Sequence, residues 1–417
     1  MLRSHKTVAT VVGLAAAAFA STAGPAAAAD DGRGKQIEAG IEAYQRAFPK
    51  ISLENATLAA RQQDERKELY GVLTKGGEQT FGGASFDPVS GVLKVFATDR
   101  EIAAVAGETG KQLGLNVETG IVERSFADLE RQAEELRARK DTLGSYARSY
   151  GGIETENNRF VIAVTPAEAK LVEATAKEAG VTLIERRSTP KTEYDAGCTS
   201  RSACDWTIRA GSMIWNPSAG NNNCSVGFTA RNSANTRYTY TAGHCSSGAT
   251  LWGTGGQSIG TLSSSLNSGP VDAAIIPVTN PWFKFDSGGE IYNEFFPNRS
   301  VAVNAVAPTL SYIWSGDLVC LAANFTSPNG PNFCGVVGTN SDSSVRGMVR
   351  VDGLDACGGD SGGGWYWLTS TGRRIAYGIH SRSNTGCHGS AGGSQSWFSA
   401  LPTVKSTYTP SLNVETR

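Results

Sequence analysis

Thr241-Ala242-Gly243-His244-Cys245 and, further along the chain, Gly359-Asp360-Ser361-Gly362-Gly363 place a histidine beside a cysteine and a serine between glycines. Glycines on both sides of Ser361 permit a tight turn and let a carbonyl group approach the hydroxyl. A serine hydroxyl is a poor nucleophile at neutral pH. It needs a neutral imidazole to take its proton, and that imidazole needs an acceptor to fix its tautomer. Asp272 is the best acceptor, because in Val271-Asp272-Ala273-Ala274-Ile275-Ile276 it is a carboxylate set in an apolar strand, where burial without a partner is costly. Asp286 is the rival acid, and the apolar neighbours favour Asp272.

Around these stretches the chain divides in two. From Asp30 to Ala196 it carries 23 Lys+Arg, 28 Asp+Glu and no cysteine; from Gly197 to Arg417 it carries 13 and 11, with all eight cysteines. A length of 417 residues exceeds one ordinary domain. The net charge of -1 supplies no basic field to gather nucleic acid. With 40% hydrophobic and 18% charged residues, and no bilayer-length apolar run after residue 29, a polytopic membrane protein, a collagen and a wholly disordered chain are excluded. Residues 1–29 read as a secretory signal peptide: Arg3 and Lys6 lead, Val8 to Ala20 is apolar, and Ala26 to Ala29 is a small-residue cleavage region. Export without a membrane anchor is expected, and with it oxidising conditions for the cysteines.

In the charged half, Phe126, Leu129, Ala133 and Leu136 recur at helical spacing, and Pro166 to Gly180 begins with proline and ends with glycine as one helix does. Gly91 to Thr98, Arg159 to Val164 and Val181 to Glu185 read as strands, which predicts a small α+β unit with no visible chemistry. In the cysteine half, Ser225 to Arg231, Arg237 to Ala242, Val271 to Val278, Leu318 to Ala323, Gly347 to Val351 and Arg373 to His380 read as short strands, with helix only near Ser396 to Val404. An all-β sandwich or a pair of barrels suits that pattern. Eight cysteines allow 105 pairings. Proximity favours Cys198–Cys204, Cys224–Cys245, Cys320–Cys334 and Cys357–Cys387 over a metal site, since no paired C-x-x-C occurs and His244 and His388 stand far apart.

The histidine and serine motifs, in that order on an exported β-rich chain, resemble the chymotrypsin-fold serine endopeptidases, and among them the bacterial group of α-lytic protease, the streptogrisins and glutamyl endopeptidase. The resemblance runs from about Cys224 to Val404. It implies an all-β catalytic domain, 197–417, of two antiparallel six-stranded β-barrels. The charged half, 30–196, resembles that group's pro-regions, which assist folding and then inhibit until cleaved. Carried across, Ser361 is the nucleophile, His244 the general base and then acid, and Asp272 the orienting acid. The N–H groups of Gly359 and Ser361 form the oxyanion hole, and Asp360 holds that loop in shape. Cys224–Cys245 and Cys357–Cys387 match the family's bridges beside the histidine and the nucleophile loop. The expected protein is a secreted, extracellular zymogen and monomer acting on protein or peptide substrates, its pro-region serving as intramolecular chaperone and inhibitor, with no cofactor, metal, nucleic acid or membrane partner.

Two other outcomes compete with this one. G-x-S-x-G also describes the nucleophile elbow of α/β-hydrolases, hence a lipase or esterase, but there an acid and then a histidine follow the serine. Here the only carboxylate side chain after Ser361 is Glu415, beyond both His380 and His388. A catalytically silent, protease-like binding module would lack a member of the set His244, Asp272 and Ser361, and all three are present. His388 and Asp205 read as surface residues, and the proline and polar residues between Arg186 and Gly197 suit a cleavable linker.

Substrate preference draws two opposite signals. Asp355, six residues before Ser361, has the spacing of the pocket aspartate of trypsin-like enzymes and would attract Arg or Lys. Gly378-Ile379-His380-Ser381 followed by Ser383 resembles the glutamyl endopeptidase, whose histidine and serine bind a carboxylate. The spacing of Asp355 tips the expectation slightly to basic residues. Ser381 would, by analogy, help bind substrate backbone.

Overall fold

Runs of Val, Ile and aromatic residues cut by Gly, Ser and Asn clusters form strands in the cysteine-bearing half, and six of them close on themselves. The computed structural model describes residues 30–186, 208–216, 223–246, 251–254, 257–281, 283, 289–292, 300–326, 333–354, 356–384 and 393–417. The barrel runs Leu318–Ala322, Cys334–Asp342, Met348–Asp352, Gln395–Ala400, Arg374–Ser383 and Gly364–Leu368, every neighbouring pair antiparallel, with the last strand back against the first. Closure removes sheet edges, and the core it encloses includes Val319, Leu321, Val351, Trp365 and Phe398.

The second expected barrel is not closed among the described residues. In its place stand a five-stranded sheet (Ser264–Ser268, Val271–Pro277, Arg237–Thr241, Thr229–Arg231, Asn413–Val414) and a four-stranded one (Gln257–Thr261, Leu251–Thr254, Met213–Trp215, Asn223–Ser225). The run expected as one strand over Ser225 to Arg231 is two, Asn223–Ser225 and Thr229–Arg231, which lie in different sheets. Ser396 to Val404 is also not one helix. It begins in the barrel strand Gln395–Ala400 and turns helical only at Leu401–Thr407, where Pro402 occupies the first turn. Its alternating residues Ser396, Phe398 and Ala400 fit a strand whose two faces are both buried, which a helical reading of the same letters overlooks.

Residues 30–186 hold seven α-helices and two three-stranded sheets. Each sheet repeats one order: an antiparallel hairpin, a helix, then a parallel strand. The two crossover helices are delimited by local chemistry. Asp99 caps Arg100–Gln112, and Thr165 with Glu168 forms a capping box ahead of Pro166–Glu178. Both helices end at a glycine of positive φ, Gly114 at 70° and Gly180 at 63°, with Leu115 N–H on Gly110 C=O and Val181 N–H on Ala176 C=O.

This region is seated on the outside of the closed barrel and shares one apolar core with it. Gln63 mimics a strand partner, accepting from Leu318 N–H at 2.6 Å and donating to Leu318 C=O at 3.1 Å. Tyr44 Oη donates to Gly316 C=O, and Arg46 to the carbonyls of Gly353 and Cys334. Lys67 is buried, with Nζ 2.5 Å from Asp317 Oδ2 and from Tyr312 C=O, beneath the rings of Tyr312 and Trp314. Burial drives the Lys67 ammonium down to about 8 against the opposing pull of Asp317. Replacing Lys67 by methionine leaves the Asp317 carboxylate buried without its cation. The expected cost is about 3–5 kcal/mol of full-chain stability, read as a lowered Tm, with much of it recovered by adding Asp317→Leu. A Lys67→Met chain as stable as the parent would mean that the pair contributes nothing to seating this region.

Candidate active site

The strand Arg237–Thr241 hands the chain to a 3-10 turn, Gly243–Ser246, that projects His244 between the two halves of the cysteine-rich fold. Asp272 is the second residue of Val271–Pro277, the strand paired beside it. His244 backbone N–H donates to Asp272 Oδ1 at 2.8 Å, His244 Nδ1 lies 2.7 Å from Asp272 Oδ2, and His244 Nε2 lies 2.9 Å from Ser361 Oγ. Asp272 is fully buried, its oxygen Oδ2 takes a further hydrogen bond from Ser381 Oγ at 2.5 Å, and its own N–H donates to Ser399 Oγ at 2.8 Å. Burial alone would raise this carboxyl; the donors from His244 and Ser381 outweigh it and bring it down to about 2. An ionised carboxylate can only accept, so the proton on His244 sits at Nδ1 and Nε2 faces Ser361 as a base. The arrangement can therefore move the hydroxyl proton of Ser361 onto His244 and steady the imidazolium that results.

Ser361 rides on a turn held from several sides. Gly359 and Gly362 have φ of 90° and 92°. A Cβ on Gly362 would stand 2.3 Å from Thr241 Oγ1 and 2.5 Å from Ser225 O, so only glycine lets the serine turn approach the strand leading to His244. The Asp360 carboxylate points inward and accepts from Cys357 N–H, Phe325 N–H, Thr326 N–H and Thr326 Oγ1, at 2.8, 2.7, 3.1 and 2.5 Å. Gly362 N–H and His380 N–H then pair with His380 C=O and Gly363 C=O, joining the turn to the barrel wall. The N–H groups of Gly359 and Ser361 have no acceptor among the described residues.

Two disulfides brace the two sides. Cys224–Cys245 ties the residue after His244 to the strand Asn223–Ser225, and Cys320–Cys334 spans two neighbouring barrel strands. Cys357 is disulfide-bonded as well. Cys198, Cys204, Cys387, Asp205, Asp286, Asp355 and His388 lie outside the described residues.

The other expected substrate-binding residues have definite partners. His380 is buried, and Trp365 Nε1 donates to its Nδ1 at 3.3 Å, which leaves the ring proton on Nε2. Burial, aided by the nearby His244, lowers His380 to about 3, so it is neutral at physiological pH. Ser381 directs its hydroxyl to Asp272. Ser383 Oγ donates to Ala356 C=O at 2.8 Å, tying the wall strand to the stretch before the nucleophile. Ser399, Thr326, Trp365 and Ser225 belong to this site without any local sequence signal. Trp365 and Ser399 lie in buried strands and Ser225 follows a half-cystine, but nothing in those neighbourhoods points to the site.

No protein-family model matches the chain, and no curated protein matches it. Solved structures similar to it are chymotrypsin-fold bacterial serine proteases. A Nocardiopsis protease is 24% identical over 50% of this chain and 98% of its own, at a TM-score of 0.36. A glutamic-acid-specific serine protease described as using a histidine triad in substrate binding is 24% identical over 50% of this chain and all 100% of its own, also at 0.36. Protease A of Thermobifida fusca is 25% identical over 51% of this chain and 100% of its own, at 0.36.

Proposed function

We propose that this chain is a secreted serine endopeptidase made as a zymogen, hydrolysing peptide bonds through an acyl-enzyme. The observation that carries the proposal is the continuous chain of contacts from Asp272 through His244 to Ser361, at 2.7 and 2.9 Å. Ser361 Oγ attacks the scissile carbonyl carbon as its proton passes to His244 Nε2. Asp272 stabilises the imidazolium, and the N–H groups of Gly359 and Ser361 receive the oxyanion. Collapse expels the amine with the proton from His244, leaving an ester on Ser361. Water, deprotonated by the same imidazole, then releases the acid.

Residues 30–196 act in this proposal as the pro-region. Gln63 and Lys67 grip Leu318, the first residue of a barrel strand, and Asp317 just before it, which is the support for a role in folding and in restraining the catalytic half. Residues 1–29 direct export, and the disulfides suit an oxidising exterior. For the residue before the scissile bond, Arg or Lys is the better-supported choice. Asp355 has the appropriate spacing, while neutral His380 has no charge to offer a glutamate and the Ser383 proton is already donated to Ala356.

The test incubates the purified chain, freed of residues 30–196, with a biotinylated fluorophosphonate and, separately, with a mixed peptide library read by mass spectrometry. Labelling at Ser361 with cuts after Arg and Lys is the expected result. Cuts after Glu would transfer the pocket to His380, and absence of both labelling and cleavage would return the chain to the class of silent binding modules.

A further inference from the structure

The geometry points to Ser225 as a positioning residue that keeps the oxyanion-binding turn in register with the nucleophile, a role that rests on the endopeptidase reading. Ser225 is fully buried at the end of the strand Asn223–Ser225, next to half-cystine Cys224. Its N–H donates to Ser361 C=O at 2.7 Å. Its hydroxyl donates to Gly359 C=O at 2.9 Å and accepts from Asn324 N–H at 2.8 Å. Its own C=O accepts from Thr241 Oγ1 at 3.0 Å.

The two carbonyls that Ser225 holds belong to the two residues whose N–H groups would bind the oxyanion. Each held carbonyl lies across its own Cα from that N–H, in the following peptide unit, so the tie acts on the hole by fixing the backbone torsions of Gly359 and Ser361. The same residue reaches the histidine side twice, through Thr241 and through the bridge of its neighbour Cys224 to Cys245. Gly359, at φ 90° and preceded by Gly358, has no side chain to resist rotation of its peptide units. The turn needs an outside tie, and the Ser225 hydroxyl supplies one on the Gly359 side. The Ser225 N–H bond to Ser361 C=O survives truncation of the side chain. Loss of the hydroxyl thus releases Gly359 C=O and the bond from Asn324 N–H, while Ser361 and His244 stay in contact.

The experiment compares parent, Ser225→Ala, Ser225→Gly and Ser225→Thr, each expressed as the full chain and measured per folded molecule. The readouts are kcat and KM on one peptide and inhibition by a peptide aldehyde, whose adduct places an oxyanion in the hole. Parent turnover and fluorophosphonate labelling are the baseline; without them the endopeptidase reading falls, and this role with it. With them present, Ser225→Ala or Ser225→Gly should lower kcat about 10–100-fold, since small misplacements of reacting groups cost about 100-fold, with KM little changed. Aldehyde affinity should weaken by the same factor, and Ser225→Thr, which keeps a hydroxyl, should restore both. Glycine serves where the alanine chain fails to fold, because it removes the same hydroxyl and adds no contact. Unchanged kcat and aldehyde affinity with only a lower Tm would overturn the inference, as would a threonine variant as slow as alanine.

Discussion

Replacing Ser361 by alanine should lower proteolysis by about 10⁶-fold and leave the full-length chain folded and unprocessed, on the scale of nucleophile removal in serine proteases. Ser361 is 8% exposed, and the oxygen that the substitution deletes has one hydrogen bond among the described residues, with His244 Nε2 at 2.9 Å. The supports of the turn are elsewhere: Asp360 holds four donors, and Ser225 N–H holds Ser361 C=O. Stability should change by no more than about 0.5–1.5 kcal/mol, the worth of one hydrogen bond. Casein hydrolysis and the size of the secreted chain on a gel check both halves of the expectation. Undiminished proteolysis would place the nucleophile at another residue and end the case for Ser361.

Asp272→Asn should cost about 10⁴ in kcat with a far smaller change in KM. The carboxylate accepts on both oxygens, from His244 N–H on Oδ1 and from His244 Nδ1 and Ser381 Oγ on Oδ2. An amide has one acceptor oxygen. If that oxygen keeps the His244 backbone N–H, its NH2 faces Nδ1, the imidazole proton moves to Nε2, and the ring can no longer accept from Ser361. The change also alters acid stability. Asp272 is brought from 3.8 to about 2 in the folded chain, so its ionised form favours folding at neutral pH, and that contribution fades as pH falls from about 4 through 2. The asparagine chain lacks this component, so its melting temperature should vary less over that window. Steady-state kinetics and melting curves between pH 2 and 5 test the two consequences, and an asparagine variant with near-parent kcat would remove Asp272 from the relay.

Much of the site is legible residue by residue. Glycines around Ser361, a histidine closing a strand beside a cysteine, and an isolated carboxylate in an apolar strand are each local patterns a few residues long. The helices Phe126–Ala138 and Pro166–Glu178 announce themselves in the same way, by spacing and by capping residues. Other features have no such local mark. The bond from the Ser381 hydroxyl to Asp272 exists because the barrel strand that carries it passes behind the acid. The seat of Lys67 on Asp317, across 250 residues, is invisible in either neighbourhood. Ser396 to Val404 misleads because a strand buried on both faces and a helix start share the same apolar letters.

What the amino-acid order determined by itself is which side chains can react and how each is presented: the tight turn under Ser361, the strand end at His244, the apolar setting of Asp272. Backbone preference and side-chain periodicity act over a few residues and are complete within each stretch. What only the tertiary structure decided is that these side chains meet, together with Ser381, Ser399 and Ser225 that orient them. Contacts that span 28 and 117 residues exist only once strands from distant parts of the chain have paired and the barrel has closed.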